Sequence, residues 1–489
     1  MKSVSQDIRR VLVLGATGYI GGRLVPLLLD AGFRVRCLAR DPRKLQGRGW
    51  KQVEIVRGDV LDRGSLADAM RGCDAVYHLV HSMGAGDNDF EEHDRQAANN
   101  VADSAAAAHV QRIIYLGGLG SRSSDLSPHL RSRNEVGAIL AKGPVPVTEF
   151  RAAMIIGSGS ASFEMMHALV NRLPVMTAPK WVSTRSQPIA IRDVLRYLVD
   201  ALRIPDSAGK VIDIGGPDIL SYKELMLRFA KLLGLKRAIL VVPVLTPRLS
   251  SLWINLVTPI PASIARPLIE GLKSEMVCES DLAHTLFPFS PLPFDEAIRR
   301  AMLAVHNSSV ETRWTNASVG YGEGLLDGTM QLLSDIRKVE VHAPAASVFR
   351  AFMSIGGNNG WYYGNVLWRI RGFIDKLIGG VGLRRGRRHP NELVPGDALD
   401  FWRVESVVPV TSLTLRAEMK LPGSAWLEFT VESEDGCRSI LTQTARFYPK
   451  GLRGLLYWYS IYPLHGLVFR GIAHGIARKA LEMHRSSNQ

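Results

Sequence analysis

Three glycines spaced three apart, Gly15, Gly18 and Gly21, lie in RVLVLGATGYIGG, residues 10–22. Four apolar residues, Val11 to Leu14, lead into them and an apolar helical stretch, Leu24 to Leu29, follows. A buried parallel strand, a tight glycine turn and a helix N-terminus together make a phosphate site. Gly15 permits the turn, Gly18 lets a pyrophosphate approach the backbone, and Gly21 lets helix and strand pack closely. The chemistry implied is the binding of a dinucleotide. Arg40 ends the next strand, FRVRCLA at 33–39, about 20 residues beyond the glycines, where such folds read the ribose. Its planar guanidinium suits a 2′-phosphate, Arg43 and Lys44 follow, and Asp41 stands one position later than an NAD-selecting acid. NADP(H) is therefore expected in preference to NAD(H). No metal site is expected: His78 and His81 point to opposite faces of a strand, and Cys37, Cys73, Cys278 and Cys437 lack ligand spacing.

The elements that must position these residues belong to a chain of 489 residues, long enough for two or three domains. With 46% apolar and 22% charged residues and a mean hydropathy near zero, the composition is that of a globular protein. The scattered cysteines and the polar opening MKSVSQDIRR lead to an expectation of a reducing, cytoplasmic setting without a signal peptide. A net charge of +14 is concentrated late, with 21 Lys and Arg against 12 Asp and Glu from Arg337 onward. No nucleic-acid module accompanies it, so nucleic acid is not an expected partner, whereas an anionic ligand or a membrane surface is compatible. Residues 238–272 are apolar, but five prolines and Arg248 and Arg266 argue against a transmembrane helix. The reading is helical packing over a substrate cleft, with shallow peripheral membrane contact as the alternative.

The G-x-x-G-x-x-G spacing, with Thr17 before the second glycine and Tyr19-Ile20 after it, resembles the extended or atypical branch of the short-chain dehydrogenase/reductase superfamily. The segments RAAMIIGSGS at 151–160 and QPIAIRDV at 187–194 are similar to the substrate lobe of those proteins, so the resemblance covers about 305 residues. It implies a Rossmann-type doubly wound parallel sheet and cofactor contacts from Gly15, Thr17, Gly18, Tyr19, Ile20 and Gly21. It also implies that Asp59 and Val60 lie beside the adenine and that Leu79, Val80 and His81 run along the nicotinamide-side ribose. Active members carry a serine after the fifth strand and a Tyr-x-x-x-Lys on the next helix. Here Gly117-Gly118 replaces the serine and His129-x-x-x-Arg133 the second motif. By that correspondence His129 would be the proton donor and Arg133 would hold ribose or phosphate. Ser121, Ser123 and Ser124 are alternative hydroxyl donors. The same loss of motif is similar to NmrA-like proteins, which bind dinucleotides as sensors without turnover.

Residues 307–335 are polar and aperiodic and read as a linker between 1–306 and 336–489. The later part reads as a strand, a helix, four alternating strands and a long C-terminal helix. That order resembles helix-grip domains of the START-like or SRPBCC superfamily, which hold apolar ligands between sheet and helix. Its tryptophans and tyrosines are candidates for a cavity lining, and Arg384-Arg385-Gly386-Arg387-Arg388 for an anion contact. The expected function is an NADP(H)-dependent oxidoreductase acting on a small apolar molecule held with help from the second domain; the alternative is a non-catalytic NADP(H) sensor. On this reading NADPH should bind at least about tenfold more tightly than NADH, and Arg40→Ala should remove most of the difference while sparing NADH. Equal affinities of the unmodified protein in titration calorimetry would refute the assignment.

Overall fold

A computed structural model describes residues 8–46, 48, 50–81, 90–120, 126–242, 268–306, 312, 333–383, 387–434, 437–449 and 451–487. The chain divides into two compact units, Met1–Gly320 and Tyr321–Gln489.

In the first unit, β1 (Arg10–Leu14), β2 (Arg34–Ala39), β3 (Val53–Arg57), β4 (Ala75–His78), β5 (Arg112–Gly118) and β6 (Val147–Ala152) join a further strand, Val211–Ile214. Their order is Val211–Ile214, β6, β5, β4, β1, β2, β3, and every pairing is parallel. The strand order reverses between β1 and β4, the crevice where doubly wound sheets bind ligands. Because side chains alternate along a strand, the apolar run of β1 serves two layers. Val11 and Val13 pack with Leu24 and Leu28 of α1 (Gly21–Asp30). Leu12 and Leu14 join the opposite core. That core contains Leu66 of α3 (Arg63–Met70, the short helix Arg43–Gln46 being α2), Val101 of α4 (Phe90–Ala107) and Leu140 of α5 (Pro128–Lys142). Both layers are covered by helix, so the strand has no polar face.

A smaller lobe packs Phe163, Val170, Met176, Tyr222, Phe229 and Ile298 into its own core. Here one expectation is corrected. Within the apolar stretch 238–272, Ala238–Val241 is a strand paired in parallel with Val175–Ala178, not part of a helical cover. Residues 243–267 lie outside the described residues.

The first unit also extends beyond His306. Thr312, inside the stretch read as linker, is fully buried, and its hydroxyl donates to the Tyr19 carbonyl at 2.8 Å. Arg23 of α1, only 8% exposed, donates to the Thr312 hydroxyl at 2.9 Å and to the Ser158 carbonyl at 2.8 Å. A buried guanidinium needs such acceptors, which fixes this residue against the glycine turn.

The second unit is a six-stranded antiparallel sheet in the order Leu333–Val341, Ser439–Pro449, Gly423–Ser433, Ser412–Ala417, Trp402–Val408, Ala398–Leu399. The helices Ala345–Met353 and Gly451–Ser487 supply Phe352, Phe469, Ile472 and Ile476 to a core shared with Phe429 and Leu441 of the sheet. Trp361 stacks on Phe401, with Trp402 beside both, and all three are buried. Tyr363, Tyr459 and Tyr462 are exposed instead. The aromatic residues are thus spread between core, half-buried positions such as Trp368 and Trp426, and surface. In the basic run, Arg387 donates inward to the carbonyls of Ile355 and Met353, and Arg388 pairs with Asp397. Those two cations are structural, and residues 384–386 lie outside the described residues.

A fragment ending at Gly320 should therefore be more stable than one ending at His306 by about 1–3 kcal/mol, the cost of leaving buried Arg23 short of an acceptor. Urea denaturation of the two fragments measures the difference. Equal midpoints would mean that Thr312 contributes nothing.

Candidate functional site: a dinucleotide crevice and a histidine pair at an apolar cavity

The glycine turn follows β1 at the carboxyl edge of the sheet. Gly15 has φ +90°, and a Cβ there would stand 2.7 Å from the Leu79 carbonyl oxygen and 3.1 Å from the Val80 nitrogen. A Cβ on Gly21 would run into the Gly15 carbonyl. The turn is closed by Gly18 N–H donating to the Gly15 carbonyl at 2.9 Å and Gly22 N–H donating to the Gly18 carbonyl at 3.0 Å. Helix α1 begins with neither a side-chain cap nor an acidic residue in its first turn. Its N-terminal end therefore retains the positive field that attracts phosphate. Thr17, Gly18, Tyr19 and Ile20 form the backbone of this cradle.

The other expected contacts lie at the ends of neighbouring strands. Arg40 is exposed just past β2 and forms no side-chain bond among the described residues. Arg43 donates through Nε to Asp41 at 2.9 Å, and this hydrogen bond holds the Asp41 carboxyl below the usual range. Lys44 follows in α2. Asp59 is half-buried after β3, with its carboxylate accepting from Leu61 N–H at 3.1 Å, while Val60 enters the core. Leu79 N–H donates to the Leu14 carbonyl at 3.0 Å, so Leu79 and Val80 continue β4 alongside β1 and the turn. Arg48, which sequence reasoning did not single out, donates to the Thr17 carbonyl at 3.4 Å and lies over the Trp50 ring. It packs against the side of the cradle.

His81 takes a different part from the one expected. Both of its ring nitrogens are engaged: Nδ1 with the Asp94 carboxylate at 2.9 Å and Nε2 with His129 Nδ1 at 3.1 Å. Only its backbone remains to run along a ribose. His78, three residues earlier, is buried and stacks on Tyr115.

Helix α5 brings His129 to this partner. Ser127 caps it, accepting from Leu130 N–H, and Pro128 occupies the first turn. One turn apart, His129, Ser132 and Arg133 share a face. The Ser132 hydroxyl donates to Asp94 at 3.1 Å, and Arg133 donates to the Leu116 carbonyl at 2.8 Å. Because an ionised carboxylate only accepts, Asp94 places the proton of neutral His81 on Nδ1. Nε2 of His81 must then accept from His129 Nδ1–H, leaving His129 Nε2 with a lone pair. The resting chain is thus a base, Asp94 to His81 to His129. Neither Asp94 nor Ser132 was picked out from the sequence: Asp94 is one of several acids opening α4, and nothing in its spacing marks it.

His129 and Arg133 line a cavity of about 600 Å³ together with Leu116, Gly117 and Gly118. The rest of the lining is mostly apolar, with Ser162, Thr177 and Tyr222 among it, and includes Met154, Met165, Met166, Met176, Met226 and Met276. Methionine adapts its shape to its neighbours, so this wall can accommodate a ligand of irregular form. Gly117 and Gly118, at the place of the serine in active members of the resembling family, bring bare backbone to the lining. Residues 121–125, which contain the alternative serines, lie outside the described residues. Every residue of this lining belongs to the first unit.

Burial, then His81 and Arg133, holds the His129 imidazole well below its ordinary value. Burial also lowers His81, against the opposing pull of Asp94. Both rings are therefore neutral at pH 7. Since Arg133 opposes the charged form, Arg133→Met should raise the His129 titration midpoint, whereas Asp94→Asn should lower that of His81 further. Nitrogen-detected imidazole NMR reads both, and midpoints that do not move would disprove the contacts.

Comparison with known proteins agrees with the geometry. Residues 15–144 match a family model described as NAD(P)H-binding, and residues 330–472 one described as a protein of unknown function, DUF2867. The chain is 31% identical over 232 residues to the (4-alkanoyl-5-oxo-2,5-dihydrofuran-3-yl)methyl phosphate reductase of Streptomyces griseus, spanning 46% of this chain and 74% of that enzyme. It is 33% identical over 129 residues to cinnamoyl-CoA reductase 1 of Petunia hybrida, covering 25% of this chain but only 38% of that protein. The triphenylmethane reductase of Citrobacter sp. superposes with a TM-score of 0.50 at 18% identity over 60% of this chain and 99% of that one, a likeness of fold alone. With its glycine cradle, its parallel sheet and its match to most of the Streptomyces enzyme, the chain belongs to the family of NAD(P)H-binding reductases that includes that enzyme.

Proposed function

We propose that this protein is an NADP(H)-dependent oxidoreductase that reduces a carbonyl or enone at the polar end of an elongated apolar molecule. The observation that carries the proposal is the Asp94–His81–His129 chain, which ends at a largely apolar cavity that His129 and Arg133 line. The cradle fits the cofactor, because Gly15 and Gly21 stand where a Cβ would collide with backbone. Arg40, without a side-chain partner among the described residues while Asp41 is held by Arg43, supports recognition of a 2′-phosphate.

A bound nicotinamide would supply a hydride to the substrate carbon. The protein must add a proton to the oxygen. When the histidine pair carries one extra proton, His129 Nε2–H is the donor, and as it leaves His81 Nε2–H passes its proton to His129 Nδ1 through their hydrogen bond, which restores the neutral resting pair. Asp94 stabilises the cation while it resides on His81, and Ser132 holds Asp94 in place. After transfer the pair is neutral and takes its next proton from water. Arg133 keeps the helix face against β5 through the Leu116 carbonyl. We read the second unit as a helix-grip domain that hands the apolar molecule to or from the first, a reading supported by the order of its elements.

Because burial keeps both rings neutral at pH 7, the proton-loaded pair grows as pH falls. The reductive rate should therefore rise toward acid, approaching tenfold per unit until the pair titrates, while oxidation of the alcohol should be near its maximum at neutral pH. His129→Gln should lower NADPH-dependent reduction of aldehyde, ketone and quinone substrates by about 100-fold or more and leave NADPH affinity unchanged. A variant that retains full activity would move the proton donor elsewhere. NADPH binding without reduction of any such substrate would favour the sensor reading.

A further inference from the structure

The helix Asn365–Leu377 in the second unit is oriented opposite to an ordinary surface helix. Trp368 packs on Trp361 and Phe401 at ring separations of 5.5 Å, and Gly372 is buried against Leu383. Asp375, fully buried, accepts from Gly382 N–H at 2.8 Å and Lys420 N–H at 2.7 Å. These contacts lock the rotation of the helix. On the face thereby turned outward stand Val366, Ile370, Phe373, Ile374 and Leu377, each between 48% and 65% exposed, followed by Ile378 at 57%. Their spacing of three and four residues makes one continuous apolar stripe. Surface helices of globular proteins bury such a stripe, and a contiguous exposed patch marks an interaction site.

The charges identify the partner. At 100° per residue Arg369 and Lys376 flank one side of the stripe, while Arg371 on the other side lies 3.9 Å from the Asp375 carboxylate and donates to the Lys420 carbonyl at 3.3 Å. The helix carries only one acid, Asp375, and that group is spent inside. An apolar face edged by cations, with no anion facing out, matches an anionic bilayer surface: the apolar side chains enter the acyl boundary while the long basic side chains reach the headgroups. A second feature points the same way. Leu456, Tyr459 and Leu467 are 56–64% exposed along the first half of the helix Gly451–Ser487, and no acidic residue occurs from 451 to 481. No helix among the described residues is long and apolar enough to cross a membrane. We infer that the second unit docks on anionic membrane surfaces by laying the helix Asn365–Leu377 in the lipid–water interface.

Vesicle flotation with the full chain tests this. The protein should float with vesicles of equimolar phosphatidylglycerol and phosphatidylcholine and bind pure phosphatidylcholine several-fold less. Phe373→Glu with Leu377→Glu should reduce flotation about tenfold or more. Both side chains are mostly exposed, so the thermal midpoint should hold. Arg369→Gln with Lys376→Gln should reduce binding to the mixed vesicles several-fold and leave binding to pure phosphatidylcholine unchanged. Absence of flotation, equal binding by the glutamate variant, or indifference to lipid charge would each overturn the inference. So would a dimer in sedimentation that the glutamate pair dissolves, because a second copy of the chain would then be what covers the stripe.

Discussion

The close approach of Gly15 to the end of β4 is the constraint on which the candidate site depends. With a positive φ and no Cβ, the turn after β1 lies directly on the Leu79 carbonyl and the Val80 nitrogen. This contact does two things at once. It exposes the start of α1 as an anion cradle, and it guides the chain leaving β4 past the cradle to His81. A side chain at Gly15 would press on the Leu79 and Val80 backbone and force the turn away from the end of β4. The glycines therefore act beyond phosphate binding, since they set the distance between the cofactor cradle and the groups that could move a proton.

The histidine pair is an arrangement with a physical cost. Two imidazoles and a carboxylate are buried together, and burial disfavours charge on both rings. Hydrogen bonds offset that cost: Asp94 accepts from His81 and from Ser132, and His81 accepts from His129. The same low-polarity surroundings that keep the pair neutral strengthen each of these bonds. The methionine-rich cavity lies beyond, and α5 supplies His129, Ser132 and Arg133 from consecutive turns of one face.

The second unit follows another logic. Its antiparallel sheet and long C-terminal helix share an apolar, partly aromatic core, while a neighbouring helix turns a glycine, a tryptophan and an aspartate inward and its apolar side chains outward. The buried Asp375 makes that rotation specific, because reversing the helix would expose its hydrogen bonds and strand three backbone or cationic partners.

The sequence by itself determined the order of strands and helices in the first unit, the glycine cradle, the cap of α5 and the two-part organisation. These are local: an apolar run, a glycine spacing or a Ser-Pro pair acts within a few residues, and parallel crossovers leave few topologies. In the second unit, the helix Ala345–Met353 and the meander were legible from the same periodicities. What only the tertiary structure decided is which side chains meet. Asp94 is one acid among several on α4, and nothing in its neighbourhood shows that it faces His81. Nor does spacing show that His81 turns from the ribose toward His129, since that follows from how α4 and α5 pack beside β4. Thr312 looked like linker because its burial comes from Arg23, almost three hundred residues earlier in the chain. The helix Asn365–Leu377 was not among the expected elements at all: periodicity can reveal that a helix has two faces, and only packing determines which face is turned inward.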